Sequence, residues 1–133
     1  MNPYHLEIVT PDGLEFSGEV ESLTVKTDDG DVEILKGHAD LLATVATGRV
    51  RIKTADETLY ASASGGFLSV SSGEVKLVAI TFELAGDIDV DRAEAAKARA
   101  EDALRDAKDD RDVKLAKAKL ARAMSRISVA EYK

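Results

Sequence analysis

The sequence predicts an all-β N-terminal sandwich of about ten antiparallel strands, followed by an α-helical antiparallel hairpin. Three observations predict it. All nine glycines lie at or before Gly86 and both prolines at or before Pro11. Up to Gly86, short apolar runs alternate with period two, as half-buried strands do. Beyond it, small apolar residues recur at the spacing of one helix face. The boundary is therefore drawn after Gly86, with residues 1–86 as one domain and residues 87–133 as a second.

The strands follow in order. "HLEIV" and "SLTVKT" alternate most cleanly, and "VEIL", "RVRIKT", "LYASAS", "FLSVSS" and "VKLVAITF" come after them. Turn signals separate them: Pro11-Asp12-Gly13, Asp28-Asp29-Gly30, Ala55-Asp56-Glu57, Gly65-Gly66 and Ser72-Gly73. Many short strands joined by Gly-rich turns fit a sandwich or barrel.

The second half reads as two helices. Asp89 is a suitable N-cap, with Asp91 and Glu94 in the first turn, where the helix dipole favours negative charge. Ala93, Ala96, Ala100, Ala103 and Ala107 form one stripe, and Val113, Ala116, Leu120, Met124 and Ile127 a second. The charged run Lys108–Asp112 lies between them, and a hairpin folded about residues 110–111 is the simplest arrangement. Alanine buries little apolar area, at about 0.8 kcal/mol per buried CH₂, so the hairpin is expected to be weakly held. As one continuous helix the segment would reach roughly 69 Å. Two packings of one sequence make this half a candidate switch.

Composition excludes several functions. With 44% hydrophobic residues, three Phe, three Tyr and no Trp, the core is aliphatic. The absence of Cys removes disulfides and thiolate metal sites. A net charge of −7 opposes nonspecific nucleic-acid binding. No apolar run approaches the roughly 20 residues that span a bilayer, and "MNPYHLEIVTPDG" has no signal-peptide pattern. Charge is unevenly spread: residues 1–86 carry 14 acidic and 6 basic side chains, and residues 113–133 carry 1 and 6. The basic second helix suits an acidic surface, either the first helix or another protein.

No catalytic constellation is present. "DIDVD" begins like a calcium loop, but the sixth and twelfth positions hold Arg92 and Ala98 instead of Gly and Glu. There is no G-x-S-x-G elbow and no P-loop. His5 falls on a strand, and His38, which follows Gly37 in a loop, reads as a structural or interface residue. The arginines are more informative. Arg92 and Arg99 share one helical face, as do Arg122 and Arg126. Folding about residues 110–111 brings Arg99 level with Arg122 and Arg92 near Arg126. The four form either an anion site or partners for Asp91, Glu94 and Glu101.

The chain resembles the epsilon subunit of bacterial rotary (F-type) ATP synthase along its whole length. "GDVEILKGHADLL" is similar to that family's G-x-x-x-I-L-x-G-H-A-P-L-L region, and "GGFLSVSSGEVKLVAITFELAGDIDVDRAEAAKARA" to the strands and first helix that follow. Lys36 and Asp40 stand where the family often has Pro, which puts the conformation of that loop in question. The resemblance implies a non-catalytic regulatory subunit of the central stalk. Its implied partners are the gamma subunit, the rotor c ring and the alpha/beta catalytic head. Its implied location is the cytoplasmic face of the bacterial cell membrane, with membrane contact only through the complex. It further implies that the helices inhibit ATP hydrolysis when they extend into the head. Some members hold ATP in the folded hairpin through I/L-D-x-x-R-A. That motif stands here as Ile88, Asp89, Arg92 and Ala93, and Glu83, Arg99, Arg122 and Arg126 match as well. Ala123 occupies a position where a basic residue occurs in the family. The implied ATP is a regulatory ligand, and whether Mg²⁺ accompanies it stays open. An independent adaptor is the alternative reading, and copurification with a gamma-like partner separates the two.

Overall fold

The computed structural model describes residues 2–133. Ten strands precede two helices. In chain order they are β1 (Tyr4–Thr10), β2 (Gly13–Val20), β3 (Ser22–Thr27), β4 (Gly30–Ile34), β5 (Leu41–Thr44), β6 (Gly48–Lys53), β7 (Thr58–Ser64), β8 (Phe67–Ser71), β9 (Glu74–Val78) and β10 (Thr81–Leu84). A short 3₁₀ turn, Ala85–Asp87, leads to α1 (Val90–Asp106) and α2 (Asp110–Ala130).

The strands form two five-stranded sheets, ordered β2-β1-β9-β8-β5 and β10-β7-β6-β3-β4. Inward residues of both sheets interleave in one aliphatic core. Leu6, Ile8, Leu23, Ile34, Ile52, Leu68 and Leu77 are all fully buried there. The expected antiparallel arrangement has one exception. β1 runs parallel to β9, with Leu6 beside Val75 and Ile8 beside Leu77. "VKLVAITF" is two strands, one in each sheet, because Ala79 and Ile80 carry the chain from β9 across to β10. Gly66 makes the neighbouring β7–β8 turn possible. Its φ is +89°, and a Cβ there would lie 1.8 Å from the Val78 carbonyl oxygen, so only glycine fits. Asp40, where the related family often has Pro, accepts a hydrogen bond from the Ser72 N–H at 3.0 Å and so ties down its loop.

α1 packs chiefly on α2, and α2 lies across β6 and β7. β7 is therefore covered on both faces: Ala61 and Ala63 point into the core while Ser62 is buried under α2. The hairpin turns earlier than about residues 110–111. α1 ends where the Ala107 N–H bonds the Leu104 carbonyl. α2 starts at the cap Asp109, whose carboxylate accepts from the Asp112 N–H at 2.8 Å. A turn centred on Lys108 sets Ala100 level with Ala116 and Ala93 level with Ala123, and all four are buried. Small side chains at this seven-residue spacing let two helix axes approach toward the lower end of the ~8–10 Å range. The second stripe is shifted accordingly. Ala123 is inside and Met124, expected inside, is exposed.

Candidate functional site

A cavity of about 430 Å³ opens where β10, the 3₁₀ turn and both helices meet. Its position follows from the local chain path. The 3₁₀ turn swings the backbone off β10, and Ile88 and Asp89 remain extended. Ile88 is buried in a small apolar cluster with Ala85, Val129 and Ala130, against which Tyr60 packs. Asp89 Oδ1 accepts from the Arg92 N–H at 3.0 Å and so starts α1. A cap of this kind is worth about 1 kcal/mol. It uses one carboxylate oxygen and leaves the other available.

Seven of the eight residues singled out in the sequence line this cavity: Glu83, Ile88, Asp89, Arg92, Ala93, Arg99 and Arg126. Arg122 is not among its lining residues. The earlier turn shifts the facing register by about five residues, which sets Arg122 level with Glu94 instead of Arg99. Ile88 and Ala93 are only 2% exposed, so they shape the wall and offer it little surface. Arg126 reaches from α2 to β10, where its Nε–H donates to the Glu83 carboxylate. Both partners are partly buried, and hydrogen bonds to charged groups are worth about 1.5–3 kcal/mol. This pair straps the second helix to the sandwich.

Arg92 and Arg99 lie seven residues apart on α1, or roughly 10 Å along its axis. Among the described residues neither has a carboxylate within ion-pair distance, and Asp91, Glu94 and Glu101 do not pair with any of the four arginines. Two exposed guanidiniums thus stand free beside a capping carboxylate. Asp12 and Glu15 from the β1–β2 hairpin and Asp87 from the 3₁₀ turn also line the cavity, so acidic groups from the sandwich side face the arginines of α1.

A second contact set, with no counterpart in the sequence pattern, holds α2 down. Tyr60 and Tyr132 stack with ring centroids 4.1 Å apart. The Arg49 guanidinium lies 5.1 Å from the centre of the Tyr132 ring and donates to its hydroxyl. Ser62 and Ser125 share a hydrogen bond of 2.7 Å, and Lys133 Nζ donates to the Ile88 carbonyl at 2.9 Å. Each joins residues far apart in the chain, so periodicity carries no trace of them.

Residues 3–85 match the model of the ATP synthase delta/epsilon chain β-sandwich domain, and residues 87–131 that of its long α-helix domain. The chain belongs to the ATP synthase delta/epsilon family. An ATP synthase epsilon chain from Bacillus velezensis is 42% identical over 130 residues, with 98% of each chain covered. Those of Halalkalibacterium halodurans and Staphylococcus aureus are 41% and 40% identical, covering 98% and 100% of each chain. The fold also matches a chain in the Euglena gracilis mitochondrial ATP synthase OSCP/F1/c-ring structure. The TM-score is 0.82 at 19% identity, over 97% of this chain and 81% of that one. A chain of the Tetrahymena thermophila mitochondrial ATP synthase central stalk and c-ring gives a TM-score of 0.73 at 12% identity, with 97% of each covered. The epsilon chain is a non-catalytic subunit of the synthase's central stalk. No helix among the described residues is long and apolar enough to cross a membrane.

Proposed function

We propose that the sandwich, residues 1–86, joins the gamma subunit to the rotor c ring, and that residues 87–133 regulate hydrolysis by the alpha/beta head. In the docked hairpin the helices are stowed, and released helices reach the head and inhibit it. ATP, bound in the cavity at Asp89, keeps them stowed. The observation that carries this is the pair of unpartnered guanidiniums, Arg92 and Arg99, beside a carboxylate with a free oxygen, in a cavity walled by both the sandwich and the hairpin.

The residues fit the nucleotide. A volume of about 430 Å³ lies within the ~300–1,000 Å³ of small-molecule clefts. Guanidinium forks at Arg92 and Arg99 match phosphate oxygens. The free Asp89 oxygen accepts from an adenine amino group. Arg126, held by Glu83, closes the α2 side. Arg122 stands outside the cavity wall in this register, so its contribution requires α2 to adjust. No P-loop or water-activating base accompanies the site, so the nucleotide acts as a regulatory ligand.

Inhibition would fall to α2. Lys114, Lys117 and Lys119 are exposed, and Leu115 and Met124 are about half exposed. That surface suits an acidic, partly apolar partner, and the same groups stay clear of the ATP cavity. Calorimetric titration of the isolated chain with ATP, with and without Mg²⁺, tests the site. Saturable binding is expected in the parent, and at least tenfold weaker binding in Asp89→Ala plus Arg92→Ala. Equal heats in parent and variant would remove the site from this cavity.

A further inference from the structure

A second cavity, of about 600 Å³, lies between the outer face of β6 and α2 and shares no lining residue with the first. Lys26 of β3 and Arg49 and Arg51 of β6 line it. The sandwich half holds only six basic residues against 14 acidic ones, so half of its cations converge here. Asp31 is the one carboxylate in the lining. Among the described residues, neither Lys26 nor Arg51 has a carboxylate within ion-pair distance. Arg51 Nε is buried without a hydrogen-bond partner among the described residues. Buried donors in folded proteins are almost always satisfied, and an orphan calls for an acceptor.

The surroundings suit an acceptor from outside the chain. Ser125 and Ser128 of α2 face the cations across the cavity. The end of α2 adds little competing negative charge, because the N–H groups of Glu131, Tyr132 and Lys133 take up the Ser128, Val129 and Ala130 carbonyls. Gly48 leaves room for the Lys26 stem: a Cβ there would lie 2.7 Å from Lys26 Cδ. Arg49 is already committed to the tyrosine stack, so Lys26 and Arg51 are the groups left open. A protein carboxylate on a broad partner surface would not reach a buried Nε under a helix, whereas a small ion would.

We propose that this cavity binds a phosphate-class oxyanion, through Lys26 and Arg51 from the sheet and the Ser125 and Ser128 hydroxyls from α2. Such a ligand bridges sandwich and helix, so it binds only when α2 is docked. At ten times its dissociation constant it would raise the docked-to-released ratio about 11-fold. The site is independent of the nucleotide cavity and uses none of its residues. Inorganic phosphate and the phosphate tail of a nucleotide share the chemistry, and separate titrations distinguish them.

The experiment is amide NMR of the full chain, titrated with inorganic phosphate and, in a second arm, with ATP, at ionic strength held constant with chloride. Saturable shifts are expected in β3, β6 and residues 121–129. They should require at least tenfold more ligand in Arg51→Gln and in Lys26→Gln, and be unchanged in Asp89→Ala plus Arg92→Ala. The exposed Lys26 serves as the second variant should Arg51→Gln fold poorly. If only ATP produces these shifts, the oxyanion is a nucleotide's phosphate tail and the site stands. The proposal is overturned if neither ligand gives saturable shifts there at tens of millimolar, if chloride alone reproduces them, or if both single variants bind like the parent. Those failures leave the Asp89–Arg99 cavity untouched, because it is read from different residues.

Discussion

Val129→Ala probes how the helices are held to the sandwich. Val129 is 1% exposed and sits in a small apolar cluster that joins the hairpin to the strands, with Ala85, Ile88, Ala130 and Tyr60. The substitution removes two methyl groups, a transfer loss of about 1.6 kcal/mol at 0.8 per buried carbon. The void left behind adds to that, for a total near 2 kcal/mol. The sandwich core does not include Val129, so the loss falls on docking and not on global unfolding. Two kcal/mol raises the released population about 30-fold. The assay is amide hydrogen exchange, comparing residues 113–127 with β1 and β9. Exchange in α2 should speed up by about 30-fold while Leu6, Ile8 and Leu77 keep their rates. Equal acceleration in strands and helix would refute separate docking. An unchanged α2 would show that this cluster does not hold it.

Three further outcomes follow from the same packing. Removing residues 87–133 should leave a sandwich with its strand signature and a cooperative melt, since the main core draws only on residues from Tyr4 to Phe82; circular dichroism and a thermal scan check this. Tyr132→Ala removes an aromatic stack worth about 0.5–1.5 kcal/mol beyond its buried area, and exchange in α2 should rise by roughly tenfold, whereas Tyr132→Phe keeps the stack and should show a smaller rise. Burial pushes the Tyr4 phenol well above its ordinary value of 10.0. Its contribution is therefore complete below that pH and is lost as pH rises. Denaturant titrations above about pH 10 should show the parent losing up to ~1.4 kcal/mol per pH unit from this group, and Tyr4→Phe declining less steeply.

Much of the fold was legible because its signals are local. β3 and β6 alternate along a buried face, and the glycines fall where the chain must turn. The edge strands β2 and β5 each keep one half-buried and one exposed face, but Gly18 stands on the inner side of β2 and Leu42 on the outer side of β5, so residue type does not follow the alternation. β7 is buried on both faces, and its "LYASAS" shows small residues on the side that α2 covers. The hairpin register was missed because an alanine-rich sequence offers two stripes of nearly equal apolarity. The choice between Ala123 and Met124 is made by close helix approach, which favours the smaller side chain. Asp109 then decides the turn as a cap, a role that several acidic residues in Lys108–Asp112 could have filled. The candidate site was legible through its motif, because Ile88, Asp89, Arg92 and Ala93 are near neighbours in sequence. The placement of Arg122 outside the cavity depends on the register and could not be read from spacing. Tyr60, Tyr132 and Arg49 come together only through the fold.

On the proposed function, ATP binds the docked hairpin through Asp89, Arg92 and Arg99 and keeps α2 on the sandwich. The direct measurement is hydrogen exchange of residues 113–130 with and without millimolar ATP, in the parent and in Asp89→Ala plus Arg92→Ala. A ligand shifts such an equilibrium only by its differential affinity, and at 100-fold excess over its dissociation constant it stabilises the docked form by about 2.7 kcal/mol. Exchange should slow by up to about 100-fold in the parent and stay unchanged in the double variant. Exchange in the parent that is indifferent to ATP, or slowed equally in both chains, would contradict that role for ATP.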